Sequence, residues 1–138
     1  MVQMEKEIQK KYVELQLLNE QIQKVHEQFI FLQQQLNELN NLEISIDEAK
    51  EIKKDSEIFS SIGPGIFVNS KITDPSNVIV NIGAGILIEK NLNEALILIK
   101  SQLNNITISI KTVQEQLNQA VIYSEELTKE LNELSLKK

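Results

Sequence analysis

Apolar residues in the N-terminal third of the chain recur at two interleaved sets of positions, each repeating every seven residues. One series runs from Ile8 to Leu36, and the other runs from Met4 to Ile46 with a single break at Lys11. Such spacing, when it is sustained over five or more heptads, is the signature of a coiled-coil helix. The pattern predicts a long helix with one apolar seam.

The C-terminal third carries the same pattern over a similar length. Its first series runs from Leu96 to Leu131 with Ser124 as the one polar member, and its second series runs from Ile99 to Leu134. Two matched helices joined by a compact segment can bury both seams by folding back on each other. We therefore predict an antiparallel coiled-coil hairpin, in which Phe29 and Ile110 face the opposite helix near mid-arm.

The central segment differs in composition from both arms. Residues 57–90 are rich in Ile, Val and Phe, and they contain all four glycines and both prolines of the chain. Runs of β-branched residues bounded by Gly and Pro are typical of strands and turns. We expect four strands, near residues 57–62, 66–72, 78–82 and 86–90.

A short internal repeat groups these strands into two hairpins. The segments IGPGIFV (62–68) and IGAGILI (82–88) lie twenty residues apart and each places a Gly-x-Gly turn between apolar strands. The predicted fold class is therefore α+β. The predicted organisation is an N-terminal coiled-coil helix (1–47), a charged linker (48–56), two β-hairpins (57–90) and a C-terminal coiled-coil helix (91–138).

Composition excludes several classes of protein. The net charge is −6 and there is no Arg or Trp, so a basic nucleic-acid surface and a base-stacking platform are not expected. No apolar run approaches the ~20 residues that a membrane helix needs, and no signal peptide is recognisable at the N-terminus. The absence of Cys suits a reducing compartment, and we predict a cytoplasmic protein.

The residues offer little support for an enzyme. A Gly-x-Gly turn cradles phosphate when a helix follows it directly, but here a strand follows each turn, which favours a hairpin. His26 is the only histidine and no Cys accompanies it, so we expect no metal site. No serine has a local histidine partner for nucleophilic catalysis. We predict no catalytic residues and no cofactor, although a nucleotide-binding module stays open as a third class.

The strands are apolar on both faces, whereas a sheet with one solvated face would alternate apolar with polar residues. Both faces and both edges of the predicted hairpins therefore need to be covered, and strands of other subunits would cover them in a closed β assembly. The alternative is that the chain's own helix ends cover one face. The residues predicted to mediate oligomerisation are Ile66, Phe67, Val68, Val78, Ile79, Val80, Ile86, Leu87 and Ile88.

The central segment resembles the α-class subunit of prefoldin, the archaeal type in particular. The resemblance is carried by VIVNIGAGILIEKNLNEALILIKSQL (78–103) and by IGPGIFVNSKITDPSNVIV (62–80), which supplies the preceding hairpin. The resemblance is to the α class and not to the β class, because the chain has two hairpins instead of one. The chain departs from the family at Pro64, where a small residue is usual, and its arms match the family in plan only.

This resemblance implies an assembly and an activity. Members of the family form a hexamer of two α-type and four β-type subunits, with a β-barrel body from which six coiled coils extend. They hold non-native proteins at the coiled-coil tips without ATP and pass them to a group II chaperonin. By this resemblance the chain would be a molecular chaperone subunit of that kind.

Apolar residues at the two ends of the chain agree with that activity, because both termini of an antiparallel hairpin lie at the same tip. Flexible, exposed apolar groups suit the weak binding of many different segments. The predicted client-binding residues are Met1, Val2, Met4, Leu134 and Leu136. The alternative function is a structural coiled-coil scaffold, or a filament-forming prefoldin relative that assembles through its β edges without a β-type partner.

Overall fold

The computed structural model describes residues 2–136, which form two long helices and four short strands. Helix α1 spans Val2–Ala49 and helix α2 spans Leu92–Leu136. The strands between them are β1 Glu57–Gly63, β2 Ile66–Lys71, β3 Asn77–Gly83 and β4 Ile86–Asn91. Strand β1 pairs antiparallel with β2, and β3 pairs antiparallel with β4, as two separate sheets. The α+β fold with two hairpins is confirmed.

The chain divides into two compact units. The first, here called the coiled-coil unit, comprises residues 1–36 and 106–138. The second, here called the hairpin unit, comprises residues 37–105 and contains all four strands together with the adjoining parts of both helices.

In the coiled-coil unit the heptad residues form the interior. Seam residues such as Ile8, Val113 and Leu127 are buried, and the predicted mid-arm residues Phe29 and Ile110 are partly buried. Polar contacts join early residues of α1 to late residues of α2, as the antiparallel prediction requires. Burial of these two apolar stripes against each other is the main source of stability for such a pair of helices.

The hairpin unit has its own small core. Ile46 from the end of α1 packs with Leu92, Ala95 and Ile99 from the first two turns of α2. Val78 of strand β3 packs against this cluster, so the second hairpin is anchored to both helices. The core is therefore built where the heptads of the two arms approach the strands.

Local polar groups mark the start of α2. Asn91 caps the helix, because its side-chain oxygen accepts a hydrogen bond from the backbone N–H of Glu94 at 2.8 Å. The Asn91 amide in turn donates to the Glu94 carboxylate at 3.0 Å. The first bond satisfies a helix N–H group that has no partner within the helix, and the second holds the two side chains together. The helix can thus begin at the residue that directly follows strand β4.

The connections on either side of the first hairpin are ordered by hydrogen bonds. After α1 the chain makes successive turns, and the Asp55 N–H donates to the carbonyl oxygen of Ile72 at 2.7 Å. Between the hairpins, the carboxylate of Asp74 accepts from the backbone N–H of Ser76 at 3.1 Å and from its hydroxyl at 2.7 Å. These bonds, the hydroxyl one foremost, hold the pKa of Asp74 below its ordinary value.

The two hairpins reverse through different turns. Ala84 and Gly85 have φ angles of 51° and 74°, which is the pattern of a type I′ turn. Pro64 cannot adopt a positive φ, and Gly65 after it has a φ of 74°, so the first reversal has the type II pattern. Pro64 and Ala84 occupy equivalent positions in the two hairpins. The turn types therefore differ, while the strands of both hairpins pair in the same register.

Candidate functional site

The ends of the helices expose apolar side chains in the coiled-coil unit. Val2 is 68% exposed and Leu136 is 87% exposed, whereas Met4 and Leu134 are partly buried as members of the seam. Met1 lies outside the described residues. Of the four predicted client-binding residues that the structure describes, Val2 and Leu136 thus offer most apolar surface.

The hairpins expose a second set of apolar side chains. Six of the nine residues predicted to mediate oligomerisation are exposed and the other three are partly buried. The exposed residues are Ile66, Phe67, Val68, Ile79, Ile86 and Leu87, and the partly buried residues are Val78, Val80 and Ile88. Large contiguous apolar surfaces are uncommon on monomers and mark interaction sites.

Strand register places two large exposed apolar side chains on one face of each hairpin. In the first hairpin Phe59 pairs with Asn69 and Ser61 pairs with Phe67, so the two phenylalanines share a face. In the second hairpin Ile79 and Leu87 share the equivalent face, twenty residues further along. Both hairpins thus present a diagonal pair of large apolar side chains to the outside.

Phe59 was not among the residues predicted from the sequence, although it is 75% exposed. The twenty-residue repeat contained the signal, because it aligns Phe59 with Ile79 as it aligns Phe67 with Leu87. Ile62 and Ile82, which are also exposed, occupy equivalent positions next to the turns and were likewise not predicted.

The opposite face of the second hairpin is partly covered by the chain itself. Val78 packs against Ile46, Leu92, Ala95 and Ile99, which belong to the helix ends. The alternative considered from the sequence, that helix ends cover one face, is therefore realised at this residue. The exposed face with Ile79 and Leu87 has no such cover among the residues of this core cluster.

Polar contacts cross between the helices in the coiled-coil unit. The Lys11 ammonium forms an ion pair with Glu130, and the Tyr123 hydroxyl donates to the Glu14 carboxylate. The hydroxyl of Ser124 donates to the side-chain oxygen of Asn19 at 3.2 Å. Lys11 and Ser124 are the breaks in the seams that were evident from the sequence, whereas their partners were not predicted.

Two of these contacts change the acidity of their donors. The hydrogen bond to Glu130 raises the pKa of Lys11 above its ordinary value of 10.5. The hydrogen bond to Glu14 raises the pKa of the Tyr123 phenol above 10.0. Both donors are therefore protonated at neutral pH, and each can donate its hydrogen bond.

Over residues 2–136, no cluster of three or more potential ligand side chains is arranged to hold a metal ion. His26 is exposed on α1. Both Gly-x-Gly segments lead into strands, β2 and β4, and not into a helix N-terminus. Within the same residues, neither helix contains a stretch apolar enough to cross a membrane.

Comparison with known sequences gives a consistent result. The family model of prefoldin subunits matches residues 18–137. The prefoldin subunit alpha of Pyrococcus horikoshii is 30% identical over 115 residues, which cover 83% of this chain and 78% of that protein. The prefoldin subunit alpha of Methanococcus maripaludis strain C5 is 29% identical over 94 residues, covering 68% of this chain and 63% of that subunit.

Two solved structures share the fold. The filamentous PFD of Methanocaldococcus jannaschii, determined by cryo-EM, has a TM-score of 0.73 at 17% identity, covering 83% of this chain and 95% of that chain. The crystal structure of the prefoldin beta subunit from Thermococcus strain KS-1 has a TM-score of 0.61 at 15% identity. The match covers 92% of this chain and 90% of that chain. At such identities these likenesses concern the fold alone.

Proposed function

This chain belongs to the prefoldin family of chaperones, and from that premise we propose that it is an ATP-independent holdase subunit. It binds non-native proteins at the ends of its two long helices and delivers them to a group II chaperonin. It has no catalytic step and needs no cofactor. Its location is the cytoplasm, a reducing compartment that suits a chain without cysteine.

The observation that carries this proposal is the exposure of Val2 and Leu136 at the ends of the paired helices. An exposed apolar side chain gains about 0.8 kcal/mol for each methylene that a bound segment buries. One such tip binds a client weakly, and several tips on one particle bind the same client together through a high effective concentration. Weak binding at many points is what a chaperone for diverse clients requires.

The hairpins provide the means to bring several tips onto one particle. Each presents two large apolar side chains on its outer face, Phe59 and Phe67 in the first and Ile79 and Leu87 in the second. Each is also a separate two-stranded sheet with open edges, and such a hairpin alone is marginally stable in water. We propose that these strands join those of β-type prefoldin subunits in a hexamer with two copies of this chain.

A second candidate is a filament that this chain forms without a β-type partner. It is favoured by the structural likeness to a filamentous PFD, at a TM-score of 0.73. The same hairpin faces would serve as the interface in either assembly. The difference lies in whether the contacts close into a particle or continue indefinitely.

The native mass of the chain, alone and mixed with a β-type prefoldin subunit, distinguishes the two candidates. A single mixed species with the mass of a hexamer supports the proposed function, and polymers that persist in the mixture support the filament. The mixed species should then suppress the aggregation of a chemically unfolded test protein equally with and without ATP. Suppression that requires ATP, or no suppression by a well-formed hexamer, would overturn the holdase proposal.

A further inference from the structure

Each of the two apolar seams that face each other contains a polar interruption, and both interruptions make contacts with the opposite helix. Lys11 interrupts a seam of α1 and pairs with Glu130, and Ser124 interrupts a seam of α2 and bonds to Asn19. The Lys11 side chain is 24% exposed and the Glu130 side chain is 51% exposed, so their ion pair lies at the edge of the interface between the helices. We propose that Lys11 and Ser124 are positioning residues that fix the register in which the two helices pair.

Apolar seams alone specify the register poorly. Because both helices repeat every seven residues, a slip by one heptad within the coiled-coil unit places apolar residues opposite apolar residues again, so the seams of that unit do not by themselves select one register. The polar residues remove this degeneracy. A slip of seven residues along α1 would place Ser124 beside Tyr12 or His26 in place of Asn19.

The same argument applies to Lys11. A slip in one direction would bring it beside Tyr123 in place of Glu130, which would separate the ion pair. A polar group at a helix interface that keeps its partner contributes a modest net stabilisation, which is lost when the partner is replaced by a residue that cannot bond to it. A single polar residue at a seam position is a known means of specifying register, at some expense of stability.

The register matters for the proposed function, on which this part of the inference rests. Val2 lies nine residues before Lys11, and Leu136 lies six residues after Glu130. In the observed register these two exposed side chains therefore end at similar heights. A slip by one heptad would displace one helix end from the other by about 10 Å, at ~1.5 Å per residue. A slip that moves α2 inward would leave Leu136 ten residues short of the height of Val2, in place of three in the observed register, so the two apolar ends would no longer form one tip.

A disulfide trap can report the register directly, because the chain contains no native cysteine. Gln21 and Gln116 lie one heptad inward from the contacting residues Glu14 and Tyr123, so cysteines at these two positions report the observed register. Cysteines at Gln28 and Gln116, or at Gln21 and Ser109, report the two slipped registers. The full chain is used, assembled with its β-type partner.

The test compares the parent with a chain carrying Lys11→Leu and Ser124→Leu, whose seams are apolar at these positions. We expect the slipped-register disulfides to rise at least several-fold, while the helical signal stays equal or increases. Lys11→Arg with Ser124→Thr should keep the parent pattern. Lys10→Leu, which changes the neighbouring lysine outside the seam, should also keep it.

Formation of only the native-register disulfide in the Leu variant would overturn the proposal. The disulfide result does not depend on client binding, so it stands apart from the proposed function. If the parent hexamer fails to suppress aggregation, the holdase proposal fails and the register result is unaffected. If the register slips but suppression is unchanged, the positioning of the tip by Lys11 and Ser124 is refuted.

Discussion

Ser124 on α2 donates its hydroxyl hydrogen to the side-chain oxygen of Asn19 on α1, and the two oxygens are 3.2 Å apart. This bond joins residues that are 105 positions apart in the sequence. From the neighbouring contact between Glu14 and Tyr123, Phe29 lies fifteen residues further along α1 and Ile110 thirteen residues back along α2. The contacts in the coiled-coil unit therefore place Phe29 and Ile110 at similar heights, as the seam pattern predicted.

Replacing Phe29 with Ala should destabilise the coiled-coil unit. Burial of a phenylalanine is worth 3–5 kcal/mol when it is complete, and we expect about 2–3 kcal/mol here because Phe29 is only partly buried. Thermal or denaturant unfolding followed by circular dichroism measures the loss. Phe31→Ala is the matched control, because Phe31 is 56% exposed and its loss should cost less than about 0.5 kcal/mol. Equal unfolding curves for the parent and the Phe29 variant would show that the helices pair in another register.

Ile79→Asp or Leu87→Asp should disrupt assembly and leave the helices intact. Both residues lie on the exposed face of the second hairpin, and a carboxylate buried there without a partner costs several kcal/mol. Native mass measurement should show a loss of the hexamer, while the helical circular dichroism signal changes little. The control is Ile44→Asp, at a residue of α1 that is 57% exposed against 64% for Ile79. A hexamer of normal mass with either hairpin variant would argue that this face is not an interface.

The contact between Tyr123 and Glu14 should be lost at alkaline pH. The pKa of the Tyr123 phenol is raised above 10.0 by its hydrogen bond to Glu14, so the protonated phenol is the form that the folded state stabilises. The stability it contributes is therefore complete below pH 10 and is lost as the pH rises through the raised pKa. The pKa of Lys11 is raised above 10.5 by the hydrogen bond to Glu130, and its contribution declines in the same direction.

The ultraviolet absorbance of tyrosinate can test this directly. In a Tyr12→Phe variant the only remaining tyrosine is Tyr123, and its titration midpoint should lie above 10.0. Adding Glu14→Gln should move the midpoint down towards the ordinary value, because the carboxylate acceptor is removed. A midpoint at or below 10.0 in the first variant would show that the hydrogen bond is not made in solution.

Regular periodicity made most of the fold predictable from the sequence. The heptads of α1 and α2 indicated both long helices, and the bounds of the four strands differ from those expected by at most one residue at either end. Helix α1 continues to Ala49, two residues beyond the predicted end, and then gives way to successive turns within the charged segment. Asparagine is among the residue types that favour an N-cap, and the hydrogen bond to the Glu94 N–H shows Asn91 in that position.

Features that depend on contacts between distant residues were harder to predict from the sequence. Lys11 and Ser124 stood out as interruptions, but their partners Glu130 and Asn19 are defined only once the pairing register is known. Cover of Val78 by the helix ends depends likewise on tertiary packing. Phe59 was not predicted because two serines follow it, so strand β1 lacks the run of three consecutive apolar residues that the other strands contain.

The central claim is that non-native proteins bind at the exposed ends of the helices. Deletion of residues 1–6 and 133–138 should leave a hexamer of normal size, because the hairpins and the contacts of Lys11 and Ser124 are retained. Val2→Ser with Leu136→Ser is the milder variant, which removes the two most exposed apolar tip side chains among the described residues. Ile44→Ser with Ile97→Ser is its matched control, since these residues are 57% and 69% exposed but belong to the hairpin unit.

The deciding measurement is light scattering from a chemically unfolded test protein in the presence of each hexamer at equal concentration. We predict that the parent and the control variant suppress aggregation equally, that the Ser tip variant suppresses it less, and that the trimmed hexamer does not suppress it. Undiminished suppression by a trimmed hexamer of normal mass would contradict the account and would place client binding elsewhere on the arms.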